Sequence, residues 1–167
     1  ADSNYRMARE TLLDHVPVPA AQVHRFEGER APADAAARYD VALAALAARQ
    51  ERDVPTFDVL LLGMGGHAHT ASLFPGSPLL DGSAPSAPRH AQAVHVPALD
   101  TWRLTLTPAT LRAARAVCLL VAGADKHAAL RRVLADAPPL VEAPVTLVHD
   151  LPGDVAWFVD RAALFGG

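Results

Sequence analysis

Two nearly unbroken apolar runs, each ended by glycine, do most to limit what this chain can fold into. FDVLLLG (57–63) and AVCLLVAG (116–123) have the composition of strands buried on both faces, as in the centre of a parallel sheet. Each run is followed by polar residues and then by helical sequence. Such alternation argues an α/β domain with a largely parallel sheet between layers of helix. Its 167 residues favour a single domain spanning 1–167 with a sizeable core.

The other segments fit this frame. ADSNYRMARETLLDHV reads as a helix with Asp2 or Ser3 as N-cap and Tyr5, Met7, Ala8, Leu12 and Leu13 as its apolar side, stopped by Pro17 and Pro19. QVHRFEG alternates as a half-buried strand does. PADAAARYDVALAALAARQ predicts a helix with Pro32 in its first turn and Tyr39, Leu43 and Leu46 on one face. VHVPALD and WRLTLT read as short strands, and TPATLRAAR as a helix capped by Thr107. GADKHAALRRVLAD is a helix ended before Pro138 and Pro139, PVTLVHD a strand, and VAWFVDRAAL a strand or helix. Residues 75–88, rich in Gly, Pro and Ser, read as a mobile surface loop.

Composition narrows the function classes. A formal charge of −3 gives no general attraction to nucleic acid or anionic membrane, so any bound anion needs a local site. No apolar run reaches the ~18 residues that span a bilayer, and no signal pattern is present. The lone Cys118 excludes an internal disulfide, fits a cytoplasmic location, and reads as a buried small hydrophobe. Of the fifteen Lys and Arg, only Lys126 is lysine. Against an arginine background, that position invites a specific role.

In α/β sheets ligands bind at the carboxyl ends of the strands, which marks the junctions at Gly63 and Gly123. At the first stands GMGGHAHTASLFPG (63–76). Its opening matches a dinucleotide fingerprint, but the acidic residue at the required spacing, Asp81, falls in the loop rather than at a strand end. A P-loop would need a lysine and hydroxyl that are absent. His67 and His69 could chelate zinc with His24, His90, His95 or His149, although no cysteine or carboxylate cluster supports this. They could also be two solvated loop histidines. Thr70 and Ser72 read as caps of a helix following the turn.

LLLGMGGHAHTASLFPG resembles the central motif of 6-phosphogluconolactonases, which share their fold with sugar-phosphate isomerases and glucosamine-6-phosphate deaminases. The family pattern, G-x-G-x-D-G-H-T-A-S-L-F-P, is matched except at two places. SNYRMARETLL, RLTLT, VAGADKHAAL, VTLVHD and WFVDRAAL follow in the family's order, so the resemblance covers nearly the whole chain. It implies a three-layer, sugar-phosphate isomerase/deaminase-like α/β fold and hydrolysis of 6-phospho-D-glucono-1,5-lactone to 6-phosphogluconate, without metal or organic cofactor. His69 is then the catalytic histidine, an imidazole largely neutral at cytoplasmic pH and able to take a proton from water. Backbone N–H groups of Gly63 to Gly66, including Gly65, would face the oxyanion. Lys126 would bind phosphate at a helix start, with Arg103 as second phosphate partner. A deaminase or isomerase activity is the weaker alternative, since ASLFP points to the lactonases.

The chain departs from the pattern where Asp-Gly becomes His67-Ala68. A carboxylate there would orient the imidazole or stabilise its protonated form; His67, if charged, would depress the His69 pKa instead, and Ala68 would be strained if the turn needs a positive φ. The family's opening strand, Gly-Gly-Ser-Thr-Pro loop and Asp-Glu-Arg turn have no counterpart. The chain thus reads as N-terminally truncated, the C-terminal two-thirds of the family domain, with exposed edges and apolar faces. A missing segment or second chain would supply the rest. These departures leave a second reading, a sugar-phosphate-binding relic without turnover.

Overall fold

The computed structural model describes residues 3–84 and 90–167. Its centre is a parallel three-stranded sheet of β1 (Leu60–Gly63), β4 (Ala116–Val121) and β5 (Asp154–Val159), in the order β1-β4-β5. Leu60 pairs with Val117 and Gly63 with Leu120, while Val117 pairs with Val155 and Val121 with Val159. β2 (Ala91–Val96) and β3 (Thr101–Leu106) form a separate antiparallel pair, joined by a short 3-10 turn over Pro97–Leu99. The α/β class with a mostly parallel sheet is therefore as the sequence predicts.

Alternation decides what each strand buries. Leu60 and Leu62 of β1, and Val117, Leu119 and Val121 of β4, point into a core shared with Leu73, Leu111, Leu130, Val133, Val145 and Leu147. Their neighbours Leu61 and Leu120 point the other way and are exposed. The expectation that 57–62 is a central strand buried on both faces is corrected: β1 is an edge strand, and one face of the sheet carries no covering layer among the described residues. Cys118, on that face, is only half-buried rather than buried.

Helices form where the chain supplies caps and an apolar stripe. Ser3 caps α1 (Asn4–Thr11) by accepting from the Arg6 N–H at 3.0 Å; Asp2, the alternative cap, lies outside the described residues. The apolar side expected for α1 is not buried, since Met7 and Leu12 are exposed. Pro32 opens α2 (Pro32–Arg49), which buries Ala35, Ala36, Leu43 and Ala47. The Asp40 carboxylate accepts from the backbone N–H groups of His90 (2.6 Å) and Ala91 (3.1 Å), tying this helix to the start of β2. Thr107 caps α3 (Pro108–Arg112) as expected. α4 (His127–Asp136) follows a 3-10 turn at Ala124–Lys126. VAWFVDRAAL supplies both elements, β5 and then α5 (Arg161–Phe165), capped by Asp160.

Two predicted strands are not strands. QVHRFEG runs irregularly after a 3-10 turn at Ala20–Gln22 and pairs with no strand among the described residues. PVTLVHD is a 3-10 helix, Pro144–Asp150, with its first five residues buried. Of the predicted surface loop, 85–88 lies outside the described residues. Its earlier part is anchored, with Ser77 buried and Leu79 and Leu80 packed against the core.

Candidate active site

The two glycine junctions meet at the carboxyl ends of β1 and β4. A Cβ added at Gly66 would lie 3.3 Å from the Asp125 carbonyl oxygen, so the 63–69 turn rests against the 3-10 turn that carries Lys126. No helix follows the first junction. Thr70 and Leu73 instead form an isolated bridge. The Thr70 hydroxyl donates to the Gly63 carbonyl at 2.9 Å, and the Ser72 N–H donates to Thr105 Oγ1 at 3.2 Å. The expected helix-capping role of Thr70 and Ser72 is corrected: they staple the turn to β1 and β3.

His69 sits over this turn. Its ring lies so close above Gly65 that a Cβ there would collide with it, and the Gly65 N–H donates to the His69 carbonyl at 2.9 Å. On its other side the imidazole stacks on Phe74, with centroids 4.2 Å apart and an interplanar angle of 22°. Nδ1 is buried and has no hydrogen-bond partner among the described residues. Burial, and then the nearby charges of His67, Lys126 and Arg103, hold the His69 pKa below the ordinary 6.5.

A cleft of about 1210 Å³ opens beside the imidazole. His69, Ser72, Phe74 and Arg103 line one part of it, and Tyr5 and Arg25 of the N-terminal segment line another. Arg25 is held by Glu29 at 2.6 Å and lies over the Tyr5 ring. His67 is not on this cleft. It lines a separate one of about 550 Å³ with Gly66, Ala68, Arg132 and Glu142. Between them, Ala68 has φ +56°, the left-handed conformation that strains alanine, as the sequence anticipates. Its carbonyl accepts from Val145 N–H at 2.9 Å, and its methyl group is buried.

The second junction is more heavily braced than the sequence suggests. Gly123 takes φ +103°, and its N–H donates to the Asp160 carboxylate at 3.1 Å. The same carboxylate caps α5, so one side chain fixes the loops after β4 and β5 together. Lys126 is ion-paired with Asp125, whose carboxyl pKa is lowered by that pairing. Sequence reasoning missed Asp160, Asp125 and Phe74. Asp160 was detectable as an acidic residue between a strand and RAAL, in an N-cap position.

The remaining candidates separate. Asp81 accepts from the Ser83 N–H at 2.8 Å within an exposed turn, far from the role of a ribose-binding acid. His90 is buried, and His95 lies 3.4 Å from Asp100 and tilts against Trp102. Among the described residues no group of three or more His, Cys, Asp or Glu could hold a metal, and no helix is long and apolar enough to cross a membrane.

Comparison with known proteins adds a consistent picture. Residues 1–157 match the family model described as glucosamine-6-phosphate isomerases/6-phosphogluconolactonase. The 6-phosphogluconolactonase of Homo sapiens is 37% identical over 170 residues, covering 98% of this chain and 61% of the relative. That of Synechocystis sp. is 35% identical, covering 97% and 65%. Among solved structures, devB protein superposes with a TM-score of 0.81 at 31% identity, covering 98% of this chain and 66% of that one. The 6-phosphogluconolactonase from Trypanosoma brucei gives 0.76 at 32%, covering 98% and 67%. A monomeric glucosamine-6-phosphate deaminase shares the fold, with a TM-score of 0.73 at 18% identity, covering 96% and 66%. The chain thus spans about half to two-thirds of the length of the curated relatives it matches.

Proposed function

The chain belongs to the glucosamine-6-phosphate isomerase/6-phosphogluconolactonase family, and from that premise we propose that it acts in the cytoplasm on 6-phospho-D-glucono-1,5-lactone, hydrolysing it to 6-phosphogluconate. The observation that carries this reading is the His69 imidazole. It is poised over a glycine turn at the mouth of a parallel sheet, beside a cleft large enough for a sugar phosphate.

Water attacking the lactone carbonyl must lose a proton as the C–O bond forms. His69 takes that proton. Its lowered pKa keeps it unprotonated at neutral pH, though as a weaker base than an ordinary imidazole. The tetrahedral oxyanion is met by N–H groups of the turn. Gly65 N–H is already committed to the His69 carbonyl, so this task falls to its neighbours, with Gly66 exposed beside it. As the ring oxygen leaves, the imidazolium returns its proton. Arg103, on the cleft, and Lys126, at the adjoining turn, supply the positive charge for the phosphate. Lys126 exchanges its Asp125 partner for a phosphate oxygen on binding. The reading includes further polypeptide, as a preceding segment or a second chain, contributing to the phosphate site.

A second reading has its own support. Nδ1 of His69 has no acceptor among the described residues to orient it, and His67 stands where the family pattern has a carboxylate. That arrangement fits a domain that binds sugar phosphates without turnover. Hydrolysis assays on freshly generated lactone, beside calorimetry with 6-phosphogluconate, separate the two. An active wild type that loses about 10²–10⁴-fold in His69→Ala supports the enzyme. Binding without hydrolysis supports the second reading, and equal rates for both proteins remove His69 from the mechanism.

A further inference from the structure

A histidine ring turns about a soft, roughly two-fold χ2, so an imidazole that must face one way needs something to hold it. The usual device is a hydrogen bond at the nitrogen that does no chemistry. For His69 that device is missing among the described residues, where Nδ1 is buried without a partner. The position at which the family pattern has a carboxylate is His67, which lines a different cleft. Packing is left to orient the ring. Gly65 lies so near that a Cβ there would overlap it, and the Phe74 ring lies nearly parallel to it, 4.2 Å away between centroids.

Phe74 is itself firmly held. Leu73, just before it, is fully buried, and its N–H donates to the Thr70 carbonyl at 2.9 Å. The Phe74 carbonyl accepts from the N–H of buried Ser77 at 3.0 Å, and the Gly76 N–H donates to the Val141 carbonyl at 2.8 Å. Pro75 fixes its own φ between these anchors. The backbone on both sides of Phe74 is thus pinned, while its side chain lines the cleft beside His69.

We propose that Phe74 is a positioning residue for His69, its flat face holding the imidazole toward the cleft where no hydrogen bond at Nδ1 does so. An aliphatic side chain of similar size would cover the ring without offering it a flat face. The imidazole would then swing about χ2 and spend less time aligned with the attacking water. That loss falls on the chemical step rather than on substrate binding. The proposal rests on the reading of His69 as the base, and Phe74 acts only through it.

The test combines NMR of the 167-residue chain with hydrolysis of freshly generated lactone. In the wild type, NOEs should connect the His69 ring protons to both the Phe74 ring and the Gly65 Hα. Phe74→Leu, or Phe74→Met should the leucine variant not fold, should lose the Gly65 NOEs while circular dichroism stays unchanged. The same variant should lower kcat by about 10–100-fold and leave KM within about twofold. Phe74→Tyr, which keeps the flat face, should restore both the NOEs and kcat. A leucine variant with intact Gly65 NOEs, an unchanged kcat, or a tyrosine variant no better than leucine would overturn the proposal. If the wild type hydrolyses nothing, the catalytic reading fails by itself, and the Gly65 NOEs alone decide whether Phe74 holds the ring.

Discussion

At the scale of single residues, the proposed activity turns on how one imidazole is held. Gly65 is small because His69 lies directly above it. Gly65→Ala should retain the fold, since this glycine is not among those with positive φ, yet displace the ring. A misplacement of about 1 Å costs on the order of 100-fold, so activity should fall by about that factor while circular dichroism stays unchanged. The acid limb of the pH profile tests the other neighbour. In the proposed mechanism His69 works unprotonated, so activity would be present above its pKa and lost as pH falls through it. With burial, His67, Lys126 and Arg103 all lowering that pKa, the wild-type limb should lie below 6.5. His67→Asp replaces a group that disfavours imidazolium with a carboxylate that favours it, so the limb should move to higher pH in kcat against pH. An unmoved limb would show that position 67, which lines its own cleft, does not reach the base. As candidates, His69 and Lys126 were legible in the sequence, one from its motif and one from being the only lysine. The Asp125 pairing and the separation of His67 from His69 were not, because spacing along a turn does not report which side each residue takes.

At the scale of elements, local signals succeeded where an element satisfies itself. Ser3, Thr107 and Pro32 mark helix starts because a cap or a fixed φ acts within one turn. Strands need a neighbour, and that neighbour is invisible to local periodicity. QVHRFEG alternates correctly but has nothing to pair with among the described residues, and so remains irregular. PVTLVHD buries five consecutive residues as a 3-10 helix, and a short apolar run reads the same for a buried helix or strand. The end of α4 offers a test of helix chemistry alone. Its C-terminal residue is followed by Ala137 at φ +41°, in the left-handed conformation where glycine is usual. Ala137 is exposed, so Ala137→Gly relieves strain without leaving a cavity. It should raise stability by about 1 kcal/mol, read from urea denaturation with an unchanged m-value.

At the scale of the whole molecule, the sheet has one face that holds the fold together and one that does not. Adjacent residues of β4 show this most directly. Leu119 is fully buried at the centre of the core, while Leu120 is 52% exposed on the bare face. Were the sheet covered on both sides, truncating either would leave a cavity and cost similar amounts. As the chain stands, Leu119→Ala should lose about 2–5 kcal/mol, and Leu120→Ser should stay within about 0.5 kcal/mol of wild type, both by urea denaturation of the isolated chain. A large loss from Leu120→Ser would mean that this face is already covered, and the asymmetry between Leu119 and Leu120 would be gone.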